Sequence, residues 1–167
     1  AGVRPISNIV DITNYVLLEL GHLMHAFDLR ALQGKQIRVR SARQGEILRT
    51  LDGQDRTLWP AALVIADAAR AVAVAGVMGG ADSEVVDSTT AIVFESACFN
   101  PLSVRRTSRR MGLKTEASMR FERGADPNLA SVAMARACAL LEATDAGRAG
   151  GTVVDAYPLQ AAPSLVT

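Results

Sequence analysis

His25, within Met24-His25-Ala26-Phe27-Asp28, and Glu95, directly after Ile92-Val93-Phe94, are the side chains whose chemistry and setting stand out. An imidazole titrates near neutral pH and can act as acid, base or positioning group, although a lone histidine is as readily structural. A carboxylate at the end of an apolar run needs a partner, because burying an unpaired charge is costly. That partner is either a core arginine or a donor on a ligand. No Ser-His-Asp order, metal constellation or carboxylate pair emerges from spacing alone. Gly76, Gly79 and Gly80 follow an apolar run and can bring bare backbone close to a ligand, or can simply make a tight turn. Neither GxGxxG nor P-loop spacing is present.

A second candidate is electrostatic. Between Pro101 and Gly124 lie Arg105, Arg106, Arg109, Arg110, Lys114, Arg120 and Arg123 against only Glu116 and Glu122. Since the whole chain totals +1, the remainder is net acidic. Such local asymmetry suits phosphate contact, or a solvated helix face with some arginines paired to carboxylates. No aromatic side chain sits among residues 105–114 to stack a base. Only Lys35 and Lys114 of the basic residues are lysines. That bias favours bidentate phosphate contacts, or reflects codon usage in a GC-rich genome.

The elements that must position these residues are legible from capping and period. Ser7 caps a helix in which Ile9, Ile12, Val16 and Leu20 form one face, with Gly21 as its stop. Residues 22–34, which carry His25, read as an irregular or single-turn segment. The period then falls to two: Ile37, Val39 and Ser41 alternate with Arg38 and Arg40, and residues 47–51 lead through Asp52-Gly53 to residues 56–58. These are antiparallel strands, and short apolar runs at 63–66, 72–77 and 92–94 are buried ones. Asn100-Pro101 opens a helix ending at Gly112. Asp126-Pro127 opens an Ala-rich helix to about Thr144, with Leu129, Val132, Leu140 and Leu141 inward. A last strand at 153–157 precedes a proline-containing tail. Strands in the middle and helices at the ends predict an α+β domain with a largely antiparallel sheet. Its core includes Ile12, Val16, Val74, Phe94, Leu129 and Leu140.

At 167 residues, 49% hydrophobic and 21% charged, the chain makes one domain with a full core and no need of disulfide or metal staples. It is neither an acidic disordered solvator nor a globally basic coat. Cys98 and Cys138 belong to no CxxC or Cys/His cluster, which argues against a disulfide framework and a zinc site. The apolar stretch at residues 71–81 is too short and glycine-rich to cross a bilayer. The start, AGVRPISN, lacks an initiator Met and an apolar signal core, so the expectation is a fragment or processed piece of a soluble cytoplasmic protein.

RPISNIVDITNYVLLELG, HAFDL, TLDG, LVIAD, AVAGVMGG, ESACFNP, RRTSRRMGLKTEAS and RFERGADP follow one another in this order. In that succession the chain resembles the central editing domain of bacterial phenylalanyl-tRNA synthetase beta subunits, from Arg4 to about Tyr157. The resemblance implies an editing domain over residues 1–157, with a β-sandwich-like core and flanking helices, and a linker at 158–167. It implies hydrolysis of tyrosine mischarged onto tRNA-Phe. Aminoacylation, with its ATP and Mg, belongs to the full synthetase and its alpha subunit, the expected partner in a heterotetramer; this fragment would need no cofactor, metal or membrane. By motif, His25 positions the ester or the attacking water, and Arg4 lies near the pocket mouth. Glu95 accepts from the tyrosine hydroxyl, Gly79 lines the pocket with backbone, Thr115 and Ala117 form the opposite wall, and Asn14 matches the ITNY asparagine. Where the family usually reads Gly-Gln-Pro, this chain has Gly21-His22-Leu23. Leu23 stands where a proline borders the pocket, and His22 is expected at the surface without a role. The RNA-facing candidates are Arg105, Arg106, Arg109, Arg110 and Lys114. A non-catalytic tRNA-docking or scaffold module is the alternative, and a small-molecule domain unrelated to tRNA a more distant one.

Overall fold

In order, the chain forms α1 (Asn8–Leu20), β1 (Met24–Asp28), β2 (Arg38–Ser41), β3 (Ile47–Arg49), β4 (Asp55–Thr57), β5 (Leu63–Ala66), β6 (Ala71–Val74), β7 (Met78–Gly79), β8 (Ile92–Ser96), α2 (Pro101–Met111), α3 (Glu116–Phe121) and α4 (Leu129–Ala143). This is a computed structural model that describes residues 6–151 and 153–157. The expected tail at 158–167 and Arg4 lie outside the described residues.

Every strand pairing is antiparallel, as an α+β domain of this composition predicts. β1 and β8 form a two-stranded ribbon, β2-β5-β6-β7 a four-stranded sheet, and β3-β4 a hairpin closed at Asp52-Gly53. The ribbon separates two cores. Met24 and Ala26 on one face, with Ile92 and Phe94, meet α1 and α4 through Ile9, Ile12, Val16, Ala133, Ala137 and Leu141. Phe27 and Val93 on the other face join the core of the four-stranded sheet. Alternation along one strand thus serves two layers. β5 and β6 are buried on both faces, which explains their unbroken apolar runs.

His25 therefore lies on a strand and not in an irregular segment. β1 is stabilised by β8, a partner remote in sequence, so no local pattern in residues 22–34 could reveal it. α3 is likewise absent from the sequence expectation. It is short, and its start is a reciprocal cap: the Thr115 hydroxyl accepts from Ser118 N, and Ser118 Oγ accepts from Thr115 N, each at 3.0 Å. α2 begins and ends as predicted. Asn100 accepts from the amides of Leu102 and Ser103, and Gly112 closes the helix at φ 65°.

Several further expectations need correction. α4 starts at Leu129, because Asp126 accepts from Asn128 N and holds the preceding residues in a turn. Its buried residues are Ala133, Ala137 and Leu141, while Leu129 and Leu140 are half-buried and Val132 is exposed. Alanines at the contact let α4 approach α1 and β8 closely, so the larger side chains flank the seam. Phe94 is likewise half-buried, at the edge of the same core. Val39 is exposed on β2, while Arg40 on the opposite face is half-buried against Glu46. Residues 153–157 form no strand; Val154 is 87% exposed, with neither a neighbouring strand nor a face to bury.

The join between β6 and β7 sets the site's floor. Gly80 N donates to Val72 O at 2.8 Å, and a Cβ on Gly80 would lie 2.3 Å from that same oxygen. Backbone cannot retreat as a side chain would. Gly80→Ala is expected to lower stability by about 3 kcal/mol, measured by urea unfolding. A variant within about 0.5 kcal/mol of the parent would show that the strands separate without penalty.

Candidate functional site

His25 and Glu95 are direct antiparallel partners across the ribbon. His25 shares a face with Phe27, whose ring meets the imidazole edge-on at 4.6 Å between centroids, so both look into the layer between the ribbon and β7. There the bare backbone of Gly79 closes on His25. A Cβ at Gly79 would stand 3.0 Å from His25 Cε1, 3.1 Å from Nε2 and 3.0 Å from Leu51 Cδ1. Leu51 belongs to the β3–β4 turn, and its amide donates to Gly79 O at 3.1 Å. Leu51 is 42% exposed. The layer thus reaches solvent beneath an apolar lip.

Both side chains are half-buried, and the desolvation this brings sets the protonation of both groups. It lowers the His25 pKa to about 4, so the ring is neutral at physiological pH and presents one donor and one acceptor. It raises the Glu95 carboxyl to about 7. Among the described residues neither side chain has a hydrogen-bond or ion-pair partner.

Other carboxylates show what a structural acid looks like in this molecule. Asp67 is buried, and accepts from the amides of Gln33, Ala69 and Arg70. Asp28 takes Arg30 and Thr89. Glu46 takes both guanidinium nitrogens of Arg40 and the amides of Arg43 and Ala71, which hold its pKa at about 2. Glu95 receives none of this, so the alternative of a core arginine partner is not realised among the described residues.

The other expected site residues are distributed around this centre. Thr115 caps α3 and donates to Val77 O at 2.6 Å, which ties α3 to the turn leading into Gly79. Its hydroxyl is thereby engaged with backbone. Ala117 and Leu23 are half-buried against the core that includes Phe27. Asn14 is half-buried on α1, the helix that packs on the other face of the ribbon. No hydrogen bond or ion pair joins it to His25 or Glu95 among the described residues. Leu51 is a wall that sequence reasoning missed, because only the tertiary docking of its hairpin brings it to Gly79.

His22 is not at the surface: it is 2% exposed, and its Nε2 has no hydrogen-bond partner among the described residues. Burial lowers its pKa against the opposing effect of Asp126. No sequence signal separates it from a surface histidine, since the covering residues come from elsewhere in the chain.

The basic segment forms one surface. Arg105, Arg106, Arg109, Arg110 and Lys114 are exposed, while Val104, Thr107 and Ser108 on the reverse face of α2 are buried. Arg30, Arg40, Arg49, Arg56, Arg70 and Arg136 are all ion-paired. Arg105, Arg106, Arg109, Arg110 and Lys114 have no acidic partner among the described residues. A cleft of about 350 Å³ between α2 and α3 is lined by Arg109, Lys114, Ser108, Ser118 and Glu122 among others. Among the described residues no His, Cys, Asp and Glu side chains gather as a metal site, and no helix is long and apolar enough to cross a membrane.

This geometry can be set beside known proteins. Residues 1–145 match the B3/4 domain. The chain belongs to the B3/4 domain family. It is 60% identical over 152 residues to the phenylalanine–tRNA ligase beta subunit of Anaeromyxobacter dehalogenans, covering 91% of this chain and 18% of that protein. The corresponding subunit of Geobacter sulfurreducens is 53% identical over 157 residues, and that of Protochlamydia amoebophila 52% over 155. These alignments cover 94% and 93% of this chain, and 20% and 19% of the relatives. This B3/4 domain thus spans about a fifth of the length of the curated relatives it matches.

Proposed function

We propose that this B3/4 domain is the editing site of a phenylalanyl-tRNA synthetase beta subunit and hydrolyses the ester of tyrosine mischarged onto tRNA-Phe. The observation that carries this is Glu95. In a molecule that satisfies Asp28, Glu46 and Asp67, it is left without a donor among the described residues, paired across the ribbon with a neutral imidazole that itself meets the bare backbone of Gly79. A substrate phenol supplies the missing donor. Phenylalanine does not, and leaving that polar group unpaired costs its complex about 1–3 kcal/mol, or about 5- to 150-fold.

An aminoacyl ester is already activated, so orienting water and the carbonyl suffices without a protein nucleophile. His25, neutral, positions the water or the ester. Gly79 presents backbone, and Thr115, Ala117, Leu23 and Asn14 shape the surrounding wall, with Arg4 near the mouth. The domain itself takes no ATP, Mg or other cofactor and works in the cytoplasm with the alpha subunit in a heterotetramer. The test is deacylation of Tyr-tRNA-Phe by the chain and by the two-subunit enzyme that contains it. Hydrolysis no faster than in buffer in the two-subunit enzyme would overturn the reading.

The unpaired stripe on α2 favours a second role, docking tRNA, which stands alone if hydrolysis fails. Arg106→Glu with Arg110→Glu is expected to weaken tRNA binding. It should also lower the salt slope by about two, because each lost phosphate contact releases about one counterion fewer. Unchanged affinity and slope would make these arginines structural.

A further inference from the structure

The guanidinium of Arg110 lies over the ring of Trp59, 4.2 Å from its centroid. Trp59 comes from the loop after β4 and is half-buried against the main core, so the indole is a fixed platform and Arg110 an oriented, exposed lid on it. Beside them runs a cleft of about 290 Å³, lined by Asp55, Arg56, Thr57, Trp59, Arg110 and Met111. One wall is the outer edge of β4. Thr50 N donates to Gln54 O and Leu58 N to Glu46 O, so by alternation the amides of Asp55 and Thr57 point away from β3, toward the open side. Arg56 is pinned by Thr50 and Asp52, and Arg110 continues the unpaired stripe of Arg105, Arg106 and Arg109.

We propose that this cleft is a binding site for an unpaired nucleotide of RNA, whose base stacks on the free face of the Arg110 guanidinium. A planar cation presented by an aromatic ring suits the flat face of any base. Unsatisfied edge groups of β4 suit the base's hydrogen-bonding rim, and the neighbouring arginines suit the flanking phosphates. Duplex RNA would engage the stripe but could not enter, since its bases are already stacked. The proposal rests on the reading of α2 as the RNA-facing surface, and extends it to a site formed by β4 and Trp59.

Trp59 is the only tryptophan, so its emission reports the site directly. A single-stranded RNA of about ten nucleotides, which holds the stripe and one stacked base, is expected to change that emission saturably, while a duplex of the same length leaves it unchanged. Arg110→Lys keeps the charge and loses the planar face. It should lower the preference for single-stranded over duplex RNA by about 5- to 100-fold. Trp59→Phe, checked for native melting, should lower it less than Trp59→Leu. Flat emission where polarisation of labelled RNA shows saturation would overturn the proposal, as would an undiminished preference in Arg110→Lys. The same emission change with tripolyphosphate or an unstructured peptide would also overturn it, as an anion or strand-edge site instead. The oligonucleotide carries no aminoacyl ester, so a failed deacylation assay leaves a positive result standing, and flat emission overturns the cleft without touching the editing reading.

Discussion

Replacing Glu95 with glutamine is expected to make the domain more stable at pH 8, by about 2–3 kcal/mol, and to change little at pH 4. Burial holds the carboxyl at about 7, against an ordinary value of 4.5. Below about pH 4 folded and unfolded states both carry the proton, and the group makes no difference. As pH rises from about 4.5 to 7, the unfolded state sheds its proton first, and stability falls by up to about 1.4 kcal/mol per pH unit. Above that window both states are ionised and the full loss persists. His25 acts in the opposite sense. Its pKa is lowered from 6.5 to about 4, so its contribution is present at neutral pH and is lost as pH falls through that interval. Urea unfolding of parent and Glu95→Gln from pH 4 to 8 isolates the glutamate as the difference between two curves. A difference that stays flat with pH would mean that the carboxyl is solvated in the native state. A gain at pH 8 means that the molecule carries a destabilising group where a near-isosteric amide would be easier to fold, which is the mark of a group kept for binding.

What could be seen in the sequence followed from how local each cause is. Ser7, Asn100, Gly21 and Gly112 act within one helical turn, and the ends of α1 and α2 fall where those residues put them. The fully buried strands β5 and β6 announce themselves by β-branched and alanine runs, and Asp52-Gly53 by its turn chemistry. β1 could not be found in this way. Met24–Asp28 has no clean alternation, because its two faces enter two different cores, and its partner β8 is distant in sequence. Glu95 was recognisable as an acid closing an apolar run. That it lacks a partner, that His25 faces it, and that Leu51 overhangs Gly79 are consequences of packing between layers. The same holds for Trp59, which no spacing connects to the arginines of α2, and for His22, which is covered by residues far from it in the chain.

Glu95→Ala is expected to reduce hydrolysis of Tyr-tRNA-Phe relative to Phe-tRNA-Phe by about 5- to 150-fold, the equivalent of about 1–3 kcal/mol for one hydrogen bond to a charged group. His25→Ala should instead slow both substrates, by about 100-fold or more, because a group that places the water or the ester acts on the reacting atoms and not on the side chain being read. The two variants therefore separate recognition from chemistry. Glu95→Gln adds a third arm: it keeps an acceptor for the phenol but cannot ionise. In the parent enzyme the carboxyl passes from acid to anion near pH 7, and the anion is the better acceptor, so preference for tyrosine should rise as pH increases through that value. In Glu95→Gln part of the preference should remain while its pH dependence disappears. The measurements belong in the two-subunit enzyme, with the melting temperature of each variant confirming a native fold. An unchanged tyrosine-to-phenylalanine ratio in folded Glu95→Ala would remove Glu95 from recognition. The raised pKa would then describe an acid trapped by packing, and the layer between β1–β8 and Gly79 would have to discriminate by shape alone, at Leu51, Leu23 and the Gly79 backbone.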